Sequence, residues 1–164
     1  MHAEPKHKET GGYSANIESH MANVHKDFHG CFSFGLKFLL DNYGPEEMEE
    51  YLRRLARTVY APLIESVRTR GLQALEDHWR HIMSLEDVDF EIHFTDDGTL
   101  VLDVKKCPAI SHMRARGYEV CARFCEATRI VNDEICRRAG YVSEVEYDQE
   151  NACCTQRFRK EADR

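Results

Sequence analysis

Residues 88–104 read Val-Asp-Phe-Glu-Ile-His-Phe-Thr-Asp-Asp-Gly-Thr-Leu-Val-Leu-Asp-Val, and this stretch decides the fold class. Val88, Phe90, Ile92 and Phe94 alternate with Asp89, Glu91 and His93, a period of two that places the apolar side chains on one face of a strand. Asp96-Asp97-Gly98 is a turn signal, because glycine enters left-handed backbone conformations at no steric cost. After it Leu100, Leu102 and Val104 alternate in the same way. The stretch is therefore a β-hairpin with one buried face.

On its N-terminal side the period is helical. Leu72 to Leu85 makes a short helix bearing Trp79, preceded by a longer one from Pro45 to Gly71 with Met48, Leu52, Leu55, Val59, Leu63 and Val67 as its apolar stripe. Pro45 suits the first helical position, Glu46 and Glu47 suit the positive helix end, and Pro62 should kink or interrupt the ladder. A first helix spans Asn16 to Tyr43, with Ile17, Met21, Val24, Phe28, Phe32 and Leu39 at helical steps, and Gly44-Pro45 ends it. Residues 1–14 show no apolar period and read as a disordered tail, leaving 15–164 as one domain.

Beyond the hairpin, Cys107-Pro108 ends the second strand and a short helix covers Ala109 to Arg116. A long helix then runs from Glu119 to Arg138, with Val120, Phe124, Ala127, Val131 and Ile135 as its stripe and Gly140 as its stop. Tyr141 to Tyr147 and Cys153 to Phe158 make a second hairpin. The order is three helices, a hairpin, two helices and a hairpin. Single strands do not alternate with helices, so the class is α+β, an antiparallel sheet covered by helices, and not a parallel doubly wound sheet.

Composition agrees. A chain of 164 residues with 42% hydrophobic and 31% charged residues suits one core. The net charge of −7 argues against nucleic acid or an anionic membrane as partner. No apolar run approaches the roughly 18 residues that span a bilayer, and the N-terminus lacks a signal peptide's apolar region, so the expected location is cytoplasmic. Seven cysteines, an odd number with Cys153 and Cys154 adjacent, are expected as free thiols. A homodimer would use the first helix or the sheet edge.

Three constellations could carry chemistry. His25, Asp27 and His29 lie beside the core stripe of the first helix, with the two histidines at the i, i+4 spacing of acid/base or metal pairs. Gly30 and Gly35 sit in the interior of the same helix, each costing about 0.5–1 kcal/mol relative to alanine, so a neighbouring helix or a ligand must approach the backbone there. On the long C-terminal helix, Cys121, Cys125, Thr128 and Asn132 form a small polar stripe, readable as core filling or as the wall of a ligand pocket. The usual C-x-x-C spacing is missing, so no metal is assigned. Were zinc to bind, Cys121, Cys125 and Cys154 would be its ligands. Cys107, followed by Pro108 and His112, stands at a strand end where a sulfur can face a cleft, and a cationic neighbour there would favour its thiolate. Side chains 153 and 154 must point to opposite faces of their strand, so at most one joins an interior site.

Taken in order, Cys107-Pro108, Phe124-Cys125-Glu126 and Cys153-Cys154-Thr155-Gln156-Arg157-Phe158 resemble the L-2-amino-thiazoline-4-carboxylic acid hydrolase family over about a third of the chain. Ala127-Thr128 and Asn151-Ala152 stand where that family carries an acidic residue and Gly-Asp. The resemblance implies hydrolysis of a C=N bond in a small heterocyclic amino acid. Cys107 would be the nucleophile, or water would take that part, with His29 or His25 as base and Asp27 or Glu126 orienting it. Cys125, Glu126, Thr128 and Asn132 would then contact the substrate. The helix-plus-hairpin pattern also resembles the 4-vinyl reductase class of small-ligand domains, which implies a non-catalytic sensor of a small ligand or metal with zinc-binding C-terminal cysteines.

Overall fold

Phe90–Phe94 (β1) and Leu100–Val104 (β2) form the expected hairpin in the computed structural model, which describes residues 11–161 other than 87, with side chains from residue 26 onward. Its turn is held by Asp97, whose carboxylate accepts hydrogen bonds from Thr95 Oγ1 and the Thr99 amide, while Gly98 takes φ +80°. The second hairpin, Tyr141–Asp148 (β3) and Cys153–Lys160 (β4), docks with β4 beside β2. The result is a four-stranded antiparallel sheet in the order β1-β2-β4-β3.

Register explains why one face is covered. Leu100 pairs Phe158, Leu102 pairs Gln156 and Val104 pairs Cys154, so these residues share a face, and all but Cys154 are buried. The other face carries Glu91, Asp103, Thr155 and Glu146, with Thr155 Oγ1 donating to Asp103 at 3.0 Å.

The helices are α1 (Gly11–Tyr43), α2 (Pro45–Val59), α3 (Ala61–Arg70), α4 (Leu72–Leu85), α5 (Pro108–Arg116) and α6 (Phe124–Ala139). Helix α6 packs on β3, α2 lies along α6, and α1 contacts α2 and α5. No helix among the described residues is long and apolar enough to cross a membrane.

The α+β class holds, with three changes of boundary. Four helices, not three, precede the hairpin: Pro62 has no amide hydrogen and its ring would clash with the carbonyl four residues back, so the ladder breaks at Tyr60 (φ −96°, ψ 13°) and restarts as α3. The first helix begins at Gly11, so residues 11–14 belong to it. The rest of the expected tail lies outside the described residues. Helix α6 starts at Phe124 and not at Glu119, because Ser33 captures the intervening backbone. The Cys121 amide donates to Ser33 Oγ at 2.8 Å, and that hydroxyl donates to the Glu119 carbonyl at 3.1 Å. Ser33 is fully buried, so residues 118–121 run along α1 in place of a helical turn.

One buried charge clamps the helical layer. Glu134 on α6 is 0% exposed. It meets Arg137 at 2.7 Å and Arg138 at 2.8 Å from its own helix, and Arg53 at 3.2 Å and Arg57 at 3.3 Å from α2. Burial alone would raise its carboxyl, but the hydrogen bonds from Arg137, Arg138 and Arg53 win and hold it at about 2. Glu134→Gln removes the buried carboxylate that four partly exposed guanidinium groups share, so it should cost about 1–3 kcal/mol in urea unfolding at neutral pH. A depressed carboxyl stabilises above its unfolded value and loses that contribution as pH falls through its folded value. The gap between wild type and Glu134→Gln should therefore close as pH drops from 4.5 toward about 2.

Candidate functional site

Two imidazole–carboxylate pairs meet where α1 crosses α5. His112 Nε2 lies 2.8 Å from Asp27 Oδ1, and Tyr118 donates its hydroxyl to the same oxygen at 3.2 Å. The carboxylate accepts both bonds, which requires the His112 tautomer protonated on Nε2 and leaves Nδ1 as its basic nitrogen. The hydrogen bond from His112 holds the Asp27 carboxyl below its ordinary range, so it stays ionised at neutral pH. His112 keeps only 10% of its side chain exposed. The second pair is His29 Nε2 with Glu86 Oε1 at 3.2 Å, Glu86 being 4% exposed just past the end of α4.

A cleft of about 300 Å³ opens beside these pairs, lined by Lys26, Glu86, Asp89, Lys106, Ser111 and His112. The sequence builds it locally. Asp27 and His29 precede Ser33, whose hydrogen bonds tie α1 to the irregular 118–121 segment. Gly117, in the left-handed region at φ +70°, ends α5 and turns the chain so that Tyr118 lies back on α1. A Cβ on Gly30 would stand 2.7 Å from Tyr118 Cδ2, so the close approach demanded by a mid-helix glycine is made by that ring. Gly35 meets nothing within 4 Å.

Cys107 caps α5. Its amide donates to the Ala152 carbonyl at 2.6 Å. Burial pushes its thiol up despite hydrogen bonds from the Ala109 and Ile110 amides, with the Glu86 charge adding to the rise. The cation-assisted thiolate expected at this strand end is thus opposed by desolvation, the larger effect. Cys125 and Cys154 are close enough for their charges to interact with each other, and Cys107 with both, and burial carries Cys125 to about 12. Gln149 braces this group, accepting from the Cys125 amide at 3.2 Å and donating to the Cys121 carbonyl at 3.0 Å. Cys154 lies on the covered face of β4 with Gln156, and Cys153 on the other.

The residues singled out from the sequence therefore fall in four places. Asp27 and His29 do not line the cleft but bond to His112 and Glu86, which do, and Cys107 stands near enough to Glu86 to feel its charge. The side chain of His25 lies outside the described residues. Cys125 joins the thiol group. Thr128 and Asn132 line a separate recess, and Glu126 turns outward to Arg123 and Arg129. Cys121 is not on the helical stripe, because α6 begins three residues later. Among the described residues no three His, Cys, Asp or Glu side chains are placed to hold a metal ion, so Cys121, Cys125 and Cys154 do not form the set that zinc would need. Glu86 and Tyr118 were missed. Gly30 was the one signal for the tyrosine, and nothing local marks Glu86.

Gly35→Ala should raise stability by about 0.5–1 kcal/mol, the helix propensity gain, whereas Gly30→Ala should give no gain, because Tyr118 must leave Asp27. Equal gains in thermal unfolding would contradict the Tyr118 packing. Alkylation at pH 7.5, mapped by peptide mass spectrometry, should label exposed Cys31 first, with buried Cys121 and Cys136 last and Cys107, Cys125 and Cys154 accelerating only as pH rises. No family model, curated protein or solved structure matches this chain.

Proposed function

We propose that the chain is a small-molecule hydrolase that opens a C=N bond of a heterocyclic amino acid with water, using His112 and His29 as its proton-transfer groups. One observation carries this reading: His112, held by Asp27, lines a cleft that also presents two lysines. A carboxylate-oriented imidazole is a competent general base near neutral pH. Lys26 and Lys106 supply the positive charge that an amino acid's carboxylate requires.

In this mechanism His112 Nδ1 takes a proton from water as the oxygen bonds to the amidine-like carbon, and returns it to the ring nitrogen. The carbon–sulfur bond then breaks, the new hydroxyl becomes a carbonyl, and its proton passes through His29 to the departing sulfur. Water is the nucleophile because burial holds the Cys107 thiol in its neutral form. Cys107 is then a helix cap. Tyr118 keeps Asp27 in place, and Asp27 fixes the imidazole's tautomer.

The test is turnover of 2-amino-thiazoline-4-carboxylate, followed by release of free thiol. His112→Asn should lower kcat by about 10²- to 10⁴-fold, while Cys107→Ala stays within about tenfold of wild type. His112→Asn matching wild type would remove the imidazole from the mechanism. Loss of turnover in Cys107→Ala alone would move the chemistry to the thiol.

A further inference from the structure

Helix α1 is apolar on two sides. Leu36 is fully buried, and Phe32, Leu39 and Leu40 pack partly buried against the core. On the side away from Leu36, Phe34 and Phe38 are 72% and 49% exposed, and Cys31 is exposed beside them. Phe28, one turn before Cys31, is 66% exposed. Phe28, Cys31, Gly35 and Phe38 follow at steps of three and four, the spacing of a single helix face. A helix that is apolar all round belongs inside a packed structure, yet α1 packs chiefly on α2 and α5 and leaves this face to solvent.

The face carries both projections and an opening. Phe34 and Phe38 project from it, whereas a Cβ on Gly35 would meet nothing within 4 Å, so this mid-helix glycine serves no contact inside the chain. An open groove of about 460 Å³ adjoins, lined by Gly30, Cys31, Phe34, Lys37, Tyr118 and Glu119. Its walls are already held: Lys37 pairs with Asp41 at 2.8 Å and Glu119 at 3.6 Å, Tyr118 with Asp27, and Phe38 meets Tyr43 edge to face at 6.0 Å. Docking there orders few side chains anew.

Two quantities point to the occupant. In a chain that is 31% charged and carries a net −7, residues 28–36 contain no Asp, Glu, Lys or Arg, so two copies can meet along this stretch without opposing their like charges. A buried aromatic side chain covers about 150–250 Å², so the exposed parts of the three rings present roughly 300–450 Å² per copy. That is about half of the ~800 Å² each partner gives to a standard interface, which suits a reversible dimer and not an obligate one.

We propose that a second copy of the chain docks on this face, α1 against α1 across a twofold axis, with phenylalanine rings of each copy entering the opening that Gly35 leaves in the other. A twofold interface uses the same patch on both subunits, so that patch must hold the projection and the opening together, as this one does. The dimer is independent of the hydrolase reading, since the groove shares no lining residue with the cleft.

The test is sedimentation equilibrium in reducing buffer from about 1 to 100 µM, where wild type should pass from monomer to dimer. Phe34→Glu/Phe38→Glu, at two exposed positions, should raise the dissociation constant at least about thirtyfold. Gly35→Leu adds apolar surface but closes the opening, so it should also weaken the dimer, and it serves if the double variant does not fold. Phe94→Glu, on the edge strand β1, should leave the dimer unchanged. Cys31 should alkylate fastest in dilute protein and slow as the dimer forms, while Cys153 keeps its rate. A monomer throughout the range overturns the proposal: slow Cys31 labelling would then mean that another part of the chain covers the face, and fast labelling would leave it to a different protein. A dimer that survives Phe34→Glu/Phe38→Glu, tightens with Gly35→Leu or is lost in Phe94→Glu overturns it as well.

Discussion

Placing Glu134 out of water among four guanidinium groups is the constraint on which the rest of the helical layer depends. A lone carboxylate at that depth would be prohibitive, so α2 must stay where Arg53 and Arg57 can reach α6. Arg53 also bridges to Asp133 and Glu49, and Arg57 to Glu50, so the contact is a network and not an isolated pair. On its sheet-facing side α6 is tied by the buried hydrogen bond from Asn132 to Gln156 on β4, which continues to the Cys154 sulfur at 3.4 Å. With both sides fixed, the helix has one rotation available. That rotation sets Cys125 among the thiols and Phe124 and Thr128 in the recess.

Burial also separates the chemistry of the thiols from that of the imidazoles. Cys107, Cys125, Cys136 and Cys154 are all shifted upward, with desolvation as the leading cause in each. A neutral thiol makes a poor nucleophile but an acceptable core group; Cys107, Cys125 and Cys154 lie near one another, and Cys136 lies by Ser143 of β3. The histidines of the cleft are instead paired with carboxylates, and a pair of that kind can exchange a proton without leaving an uncompensated charge. The polar chemistry therefore gathers at the edge of the fold, where α1 passes α5, and the sulfur chemistry lies beneath it.

Much of this was legible along the chain because it depends on neighbours in sequence. The period-two pattern of Val88 to Val104 located the first hairpin, the break at Pro62 followed from proline's missing donor, and the opposed faces of Cys153 and Cys154 followed from strand geometry. What failed was long-range. Helix propensity carried the last helix back to Glu119, but Ser33, 88 residues from Cys121, claims the backbone that such a helix would use. Asp27 could be named as an orienting acid, yet its partner is His112, 85 positions away, and not an adjacent histidine. Glu86 reads as an ordinary acidic residue after a helix until the fold buries it against His29. The polar stripe of Cys125, Thr128 and Asn132 was visible as a stripe, but α6 divides it between two environments, and the sequence carries no mark of the division.

The shared element between cleft and recess is α1. Lys26 lines the cleft, Asp27 and His29 hold its residues His112 and Glu86, Gly30 receives Tyr118, Ser33 anchors the 118–121 segment, and Phe32 lines the recess, all within about two turns. Side chains three and four apart on a helix share a face, and those one or two apart do not. Asp27 and Gly30 are three apart and both meet Tyr118, whereas Phe32, two residues on from Gly30, projects toward Phe124. One helix thus presents a polar edge to α5 and an apolar edge to α6, and Ser33 between them keeps the helix from rotating about its axis. A rotation that improved one edge would spoil the other, so cleft and recess constrain each other through the helix they share, with no hydrogen bond required to run between them.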